Sequence, residues 1–172
     1  MLSMTRNTKI GDVFSVKIND SCKKYLQYII SDLTQLNSDV IRAFKKEYPL
    51  DSNPDLKEVV KGEVQFYAHC VTKWGIKLGF WEKTGNVPDV GKMGHVLFRD
   101  SSDDGNTKIK FSDNWWLWKI NEDQRFVGKL YGENRKAEIG SVIPPNGIIY
   151  RMAHGYYDFA YPQMNDDNID KQ

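Results

Sequence analysis

The stretch SDNWWLWKIN at residues 112–121 places three tryptophans within four positions, and it constrains the fold that the rest of the chain can build. Alternate side chains of an extended strand point to opposite faces, so Trp116 and Trp118 face one side and Trp115 faces the other. Large apolar groups on both faces are typical of a central strand that is covered on both sides. We therefore expect these rings to form core rather than a ligand platform, and we expect Trp115 to be the one that is partly exposed.

Short segments on both sides of this stretch have the composition of strands and are separated by Gly, Asn and Asp turns. DVFSVKI (12–18), KYLQYII (24–30) and EVQFYAHCV (63–71) each predict a strand from their alternation or their β-branched and aromatic content. SDVIRAFKKEY (38–48) favours a strand, with a short helix capped by Ser38 as the alternative. Further short strands are predicted in GFWEKTG, HVLFRD, TKIKFSD and QRFVGKLYG.

Two segments have apolar residues at helical spacing. In SNPDLKEVVKG, Asn53 can cap a helix over 54–61, and Gly62 can end it in a left-handed conformation. In IPPNGIIYRMAHG, Pro145 suits the first turn of a helix and Gly155 can end it.

These elements predict an α+β fold for a single domain over 1–172, ordered over about 9–162. It is mainly an antiparallel, strongly curved sheet or open β-barrel with two or three short helices. The last segment, QMNDDNIDKQ (163–172), is predicted to be a polar tail.

Charge and apolar patterning exclude several classes of protein. The formal net charge is only +1, whereas proteins that bind nucleic acid through its phosphates carry a basic excess. The first residues contain no apolar leader segment, and the longest apolar runs fall far short of the roughly 20 residues that a membrane helix needs. Cys22 and Cys70 are too few for a disulfide framework. We therefore expect a cytoplasmic protein that binds neither nucleic acid nor membrane.

No signature of an enzyme, a cofactor or a metal site stands in the sequence. The three histidines form no H-x-x-x-H pattern, and neither a G-x-S-x-G elbow nor a P-loop is present. Asp100, Ser102, Asp104 and Gly105 match the first half of a calcium-binding loop, but Phe111 stands where the bidentate glutamate is required. The segment is therefore interpreted as a turn, and we expect a protein without catalytic residues, cofactor or metal.

Several blocks stand in a fixed order over about residues 9–162. The most distinctive are QYIISDLTQLNSDVIRAF and EVQFYAHCVTKWGIKLGFWEKTG, supported by KIGDVFSVKI, VLFRDSSDDG, NWWLWKIN and YRMAHGYYDFAYP. In this order they resemble the immunity protein 26 family of bacterial polymorphic toxin systems. The resemblance implies a small cytoplasmic protein that binds a cognate protein toxin and neutralises it by occlusion, without catalysis.

A nuclease is one candidate for such a toxin. It would present basic residues that bind phosphate, so acidic side chains on this chain would steer association and pair with them. Tyrosine and tryptophan are frequent anchors at the centre of an interface. The alternative for each of the aspartates named below is that it binds no partner and only keeps its loop solvated. The predicted partner-binding residues are Asp32, Asp39, Asp100, Asp103, Asp104, Trp115 and Tyr157.

Two other functions fit the sequence. A carbohydrate- or peptide-binding module would show a row of two or three solvent-facing rings on the sheet. An enzyme of unrecognised type would need a cleft that gathers carboxylates or histidines with shifted pKa values.

Overall fold

The computed structural model describes residues 7–166. Most of its regular structure is β, and three short helices interrupt the strands. The elements are β1 (Asp12–Lys17), β2 (Cys22–Asp32), β3 (Ser38–Phe44), β4 (Tyr48–Pro49), α1 (Leu56–Val59), β5 (Val64–Cys70), α2 (Thr72–Lys77), β6 (Glu82–Asn86), β7 (Leu97–Ser101), β8 (Phe111–Ser112), β9 (Trp115–Lys119), β10 (Arg125–Gly128), a 3₁₀ turn (Gly132–Lys136), β11 (Glu138–Ile139), α3 (Pro145–His154) and β12 (Gln163–Met164).

The larger sheet has the strand order β5-β3-β2-β1-β6, with the short β4 also paired to β2. Every pairing in it is antiparallel. The β1–β2 turn is fixed by Asn19, whose side-chain oxygen accepts hydrogen bonds from the backbone N–H groups of Ser21 and Cys22 at 2.8 and 3.0 Å. Such an Asx turn is the reason that asparagine is common between two strands. The predicted strands at 12–18, 24–30 and 63–71 are confirmed, as is the strand rather than a helix in 38–48.

A second sheet has the order β10-β9-β7-β11, and its tryptophan-bearing strand β9 is central, as predicted. β10 and β7 flank β9 in antiparallel fashion, whereas β11 runs parallel to β7. A further parallel pair joins β12 to β8. The fold is therefore α+β with mostly antiparallel sheets, as the sequence indicates.

The three tryptophans of β9 do not share one environment. Trp115 and Trp118 are fully buried, while Trp116 is 36% exposed. The expectation that Trp115 is the partly exposed ring is therefore wrong. Leu130 and Ala137 cover it, and its indole N–H donates to the carbonyl of Ser112 at 2.8 Å.

Trp116 and Trp118 share a face but lie at different ends of the strand. Trp118 pairs across the sheet with Phe98 and packs on Ile29 of the larger sheet. Trp116 lies opposite Asp100 and Phe126, where its ring is left at the surface. On this face, therefore, residues of the larger sheet cover Trp118 but leave Trp116 exposed.

The helix predictions are partly correct. α3 begins at Pro145 and ends at Gly155, which adopts the expected left-handed conformation at φ 87°. α1 is shorter than the predicted 54–61, and its cap is Asp55 rather than Asn53. It ends at Val59, and the residue that caps it, Val60, is in a right-handed conformation, so Gly62 is not its left-handed terminus.

α2 is not among the predicted helices, and it contains a glycine, Gly75, in its interior. A Cβ at Gly75 would overlap the ring of Trp81, which packs directly on the helix backbone. Glycine, which lowers helix propensity, is thus required here by a tertiary contact.

The predicted polar tail begins with a strand, since Gln163–Met164 pair with β8. The rest of that prediction, at 167–172, lies outside the described residues. Across residues 7–166, no helix is long and apolar enough to cross a membrane.

Candidate functional site

Asp32 stands at the end of β2, where β2 and β3 form a hairpin around residues 33–37. The predicted partner-binding role of Asp32 requires an exposed side chain, but this side chain is completely buried. The carboxylate points inward from the base of the hairpin, so it presents no charge at the surface.

The buried carboxylate accepts five hydrogen bonds. Its Oδ2 atom accepts from Nε2 of His69 at 2.8 Å and from the indole N–H of Trp118 at 3.1 Å. Its Oδ1 atom accepts from the N–H and hydroxyl of Thr34, at 3.0 and 2.7 Å, and from the N–H of Asn121 at 3.0 Å. Donors from both sheets thus converge on one side chain.

Burial and hydrogen bonding act in opposite directions on this carboxylate. Burial raises the pKa of Asp32, but the hydrogen bonds from Thr34, His69 and Asn121 outweigh it and hold the pKa below its ordinary value. Burial also lowers the pKa of His69, against the attraction of Asp32. The pair is therefore a carboxylate and a neutral imidazole near pH 7.

The Asp32–His69 pair has the residue types of a catalytic couple but not the position of one. Both side chains are completely buried, and the His69 ring packs on Phe98 at 4.1 Å between centroids. A general base must lie within hydrogen-bond reach of its substrate. We therefore assign a structural role to the pair, which links the larger sheet to the second sheet.

The hairpin loop 33–37 is held in place by polar bonds to the second sheet. The N–H of Leu33 donates to the side-chain oxygen of Asn121 at 2.7 Å. The side-chain amides of Gln124 and Gln35 donate to the carbonyls of Thr34 and Gly140 at 3.0 and 2.6 Å. The loop backbone is therefore fixed at several points.

Two leucines of this loop point away from the protein. Leu33 is 72% exposed and Leu36 is 85% exposed. Leu36 also adopts a left-handed conformation at φ 56°, which glycine adopts readily but which is unfavourable for a bulky side chain. Strained backbone of this kind is concentrated at functional sites. Together, Leu33 and Leu36 form what we call the leucine tip.

Asp39, on the other side of the hairpin, is also engaged. Its Oδ2 atom accepts the N–H and the hydroxyl of Thr72, at 2.8 and 2.5 Å, where α2 begins. Its carboxylate therefore anchors the start of α2.

The predicted acidic turn is a turn, and two of its three carboxylates accept hydrogen bonds from side chains outside it. Asp100 accepts the hydroxyl of Tyr161 at 3.1 Å, and Asp103 accepts the hydroxyl of Ser112 at 2.6 Å. Asp104 alone of the three is exposed, and partial burial together with the nearby Asp100 raises its pKa. Within residues 7–166, no group of three or more His, Cys, Asp or Glu side chains is placed to hold a metal.

The two predicted aromatic anchors are largely inside. Trp115 is fully buried, and Tyr157 packs between Phe66, Phe159 and the guanidinium of Arg151. Of the seven predicted contact residues, Asp104 is therefore the one with an exposed side chain. The leucine tip was missed, although two leucines inside a polar turn segment are a signal that the sequence does contain.

A pair of rings is exposed on the second sheet. Trp116 and Phe126 face each other across β9 and β10 at 5.4 Å between centroids, and Phe126 is 55% exposed. The indole N–H of Trp116 donates to the hydroxyl of Ser102 at 2.9 Å.

Comparison with protein-family models, with curated proteins and with solved structures finds no match for this chain.

The lowered pKa of His69 predicts a loss of stability in mild acid. The unfolded chain binds a proton at His69 near its ordinary pKa of 6.5, whereas the folded chain binds it only at lower pH. The contribution of neutral His69 to the free energy of unfolding is thus complete above pH 6.5. It is lost below pH 6.5, by at most about 1.4 kcal/mol per pH unit. Urea unfolding at pH 7.5, 6.0 and 5.0 measures this loss.

His69→Gln keeps a donor for Asp32 and removes the titration, so its stability should fall less steeply over this range. His95→Gln, at an exposed histidine, is the control and should behave as the wild type. Equal slopes for the wild type and His69→Gln would contradict the assignment.

Proposed function

We propose that this chain is a single-domain, non-catalytic immunity protein that binds a cognate protein toxin in the cytoplasm and occludes it. The observation that carries the proposal is the leucine tip, an apolar pair displayed on a backbone that is fixed before any partner binds. Exposed apolar groups on a fixed scaffold are typical of protein–protein contact sites.

A fixed loop suits tight inhibition for an energetic reason. Ordering a mobile loop costs free energy on association, whereas the loop 33–37 is already bonded to the second sheet. Two leucines buried in a pocket of the toxin would each contribute about 1.5–3 kcal/mol. The buried Asp32 thus serves the interface indirectly, by holding the loop that carries it.

We further propose that the larger sheet is strongly curved, in the manner of an open barrel. Irregular pairing between Val13 and Phe14, between Tyr28 and Ile30, and at Ala43 supports this. Bulges of this kind bend a strand and increase its twist.

The function is tested by co-expression with the product of the neighbouring gene. We expect that product to arrest growth, and this protein to restore growth and to co-purify with it. Leu33→Ser with Leu36→Ser should abolish the rescue and weaken the complex by at least about tenfold, because two apolar side chains leave the interface.

Leu78→Ser is the matched control, since Leu78 is an exposed leucine at the end of α2. It should rescue growth as well as the wild type does. Full rescue by the double variant would show that the toxin binds elsewhere than at the leucine tip. If the neighbouring product is toxic and the wild type fails to neutralise it, the proposed function is wrong.

The exposed pair Trp116 and Phe126, which meet edge to face, favours a second candidate, a carbohydrate-binding module, because an exposed aromatic ring can pack against the flat apolar face of a sugar. Tryptophan fluorescence titrated with neutral oligosaccharides distinguishes it. A saturable change that is lost in Trp116→Ala would favour this function over the first.

A further inference from the structure

A cleft of about 560 Å³ lies between β11, the end of α3 and the segment 155–164 that follows it. Its walls combine aromatic rings with guanidinium groups. This volume is within the range of pockets that hold small organic ligands.

Arg99 of β7 reaches this cleft and forms no ion pair with a carboxylate of residues 7–166, although Glu138, which pairs with Arg151, also attracts its charge. Its Nη1 atom donates to the carbonyl of Ala137, while its Nε atom is buried and has no hydrogen-bond partner among residues 7–166. The guanidinium lies against the rings of Trp115 and Tyr161, at 5.5 and 5.9 Å from their centroids. Burial lowers the pKa of Arg99, against the attraction of Tyr161 and Glu138.

Arg151 stands in the same cleft but is fully engaged. Its Nη1 atom donates to Oε2 of Glu138 at 2.6 Å, and its guanidinium lies over the rings of Phe66 and Tyr157. One arginine is therefore neutralised by Glu138, and the positive charge of Arg99 is left over.

The hydroxyl of Tyr157 is a second polar atom of the cleft wall: it is buried, it faces the guanidinium of Arg151, and it makes no hydrogen bond of regular geometry within residues 7–166. Burial raises the pKa of Tyr157 to about 12, so the hydroxyl is a donor at neutral pH. A buried donor without a partner costs free energy unless a ligand or water satisfies it.

We propose that this cleft binds a small aromatic anion, whose carboxylate or phosphate group is held by Arg99 and the hydroxyl of Tyr157. The Nε and Nη2 atoms of arginine form an edge that takes either oxyanion through two parallel hydrogen bonds. The aromatic body of the ligand lies against the ring of Phe159. This site is separate from the leucine tip and does not depend on the toxin-binding proposal.

Entry of the ligand requires a small shift of the wall, because both unused atoms are sealed from solvent. Phe159 is the side chain that can supply this shift. It is partly exposed and stacks on Tyr157 at 4.9 Å between centroids with an angle of 22° between the rings. An entering ring would replace this stacking with its own.

The test uses the isolated full chain and two probes, indole-3-carboxylate and adenosine monophosphate, with indole and adenosine as their uncharged counterparts. Binding is followed by NMR through the Nε–H signal of Arg99. We expect at least one anionic probe to bind saturably and shift this signal, and neither uncharged compound to do so. The probe that binds identifies the oxyanion as carboxylate or phosphate.

Two variants probe the site. Tyr157→Phe removes only the hydroxyl and keeps the packed ring, so it should fold as the wild type does and bind the probe at least about tenfold more weakly. Arg99→Lys keeps the charge but loses the two-pronged edge and should weaken binding similarly. Tyr48→Phe on β4 and Arg125→Lys on β10 are the matched controls and should bind as the wild type does.

The proposal is overturned if no anionic probe binds, or if Tyr157→Phe binds with unchanged affinity. Should Arg99→Lys fail to fold, Tyr157→Phe and the Arg99 signal still decide the matter.

Discussion

Replacing Asp32 by alanine is expected to lower the free energy of unfolding by about 3–5 kcal/mol, because it leaves several buried hydrogen-bond donors without an acceptor, each at a cost of about 1–3 kcal/mol before the core relaxes. The substitution leaves the His69 ring, the indole N–H of Trp118 and the N–H groups of Thr34 and Asn121 without their acceptor. Each is a polar group that must then stay buried unpaired or draw water into the core.

Urea unfolding at pH 7.5 measures this effect. Asp104→Ala, at the exposed aspartate of the turn, is the matched control and should change stability by less than about 0.5 kcal/mol. A loss below about 1 kcal/mol for Asp32→Ala would mean that the network contributes no more than an ordinary exposed hydrogen bond.

The tryptophans of β9 should divide into two classes when each is replaced by alanine. Trp115→Ala and Trp118→Ala are each expected to cost about 3–5 kcal/mol, because both rings are fully buried and leave cavities. Trp116→Ala should cost less than about 1.5 kcal/mol, since its ring is partly exposed and packs mainly on Phe126.

This series contains its own control, because three identical substitutions are made within four positions of one strand. Thermal or urea unfolding monitored by circular dichroism avoids a signal that depends on the tryptophans. A cost for Trp116→Ala equal to that of Trp118→Ala would contradict the burial described for β9.

Local patterns were sufficient for most of the strands and for α3. In α3 the proline at the start and the glycine at the end act within the segment, so the sequence contains all that the helix needs. α2 differs because Gly75 is required by the ring of Trp81. A tertiary contact of that kind cannot be predicted from the local sequence pattern.

The candidate site was predictable in position but not in orientation. The segment between β2 and β3 was selected for its aspartates, and the structure does place an exposed tip there. Asp32 turns inward because donors from Trp118 and Asn121, far along the chain, converge on it. Sequence spacing carries no information on such distant partners, and it therefore could not show that the leucines rather than the aspartates face the solvent.

The environment of Trp115 was mispredicted for a related reason. Alternation correctly separates its face from that of Trp118, but it does not show how much cover each face receives. Leu130 and Ala137, which follow β10 in the chain, supply that cover.

The convergence on Asp32 also determines how the molecule can come apart. The carboxylate and His69 belong to strands of the larger sheet, while Trp118 belongs to the smaller one. Neither sheet has a complete set of buried hydrogen bonds without the other, so opening one exposes unpaired polar groups in both. A cut of the chain between the two sheets would therefore yield two incomplete pieces rather than two stable halves.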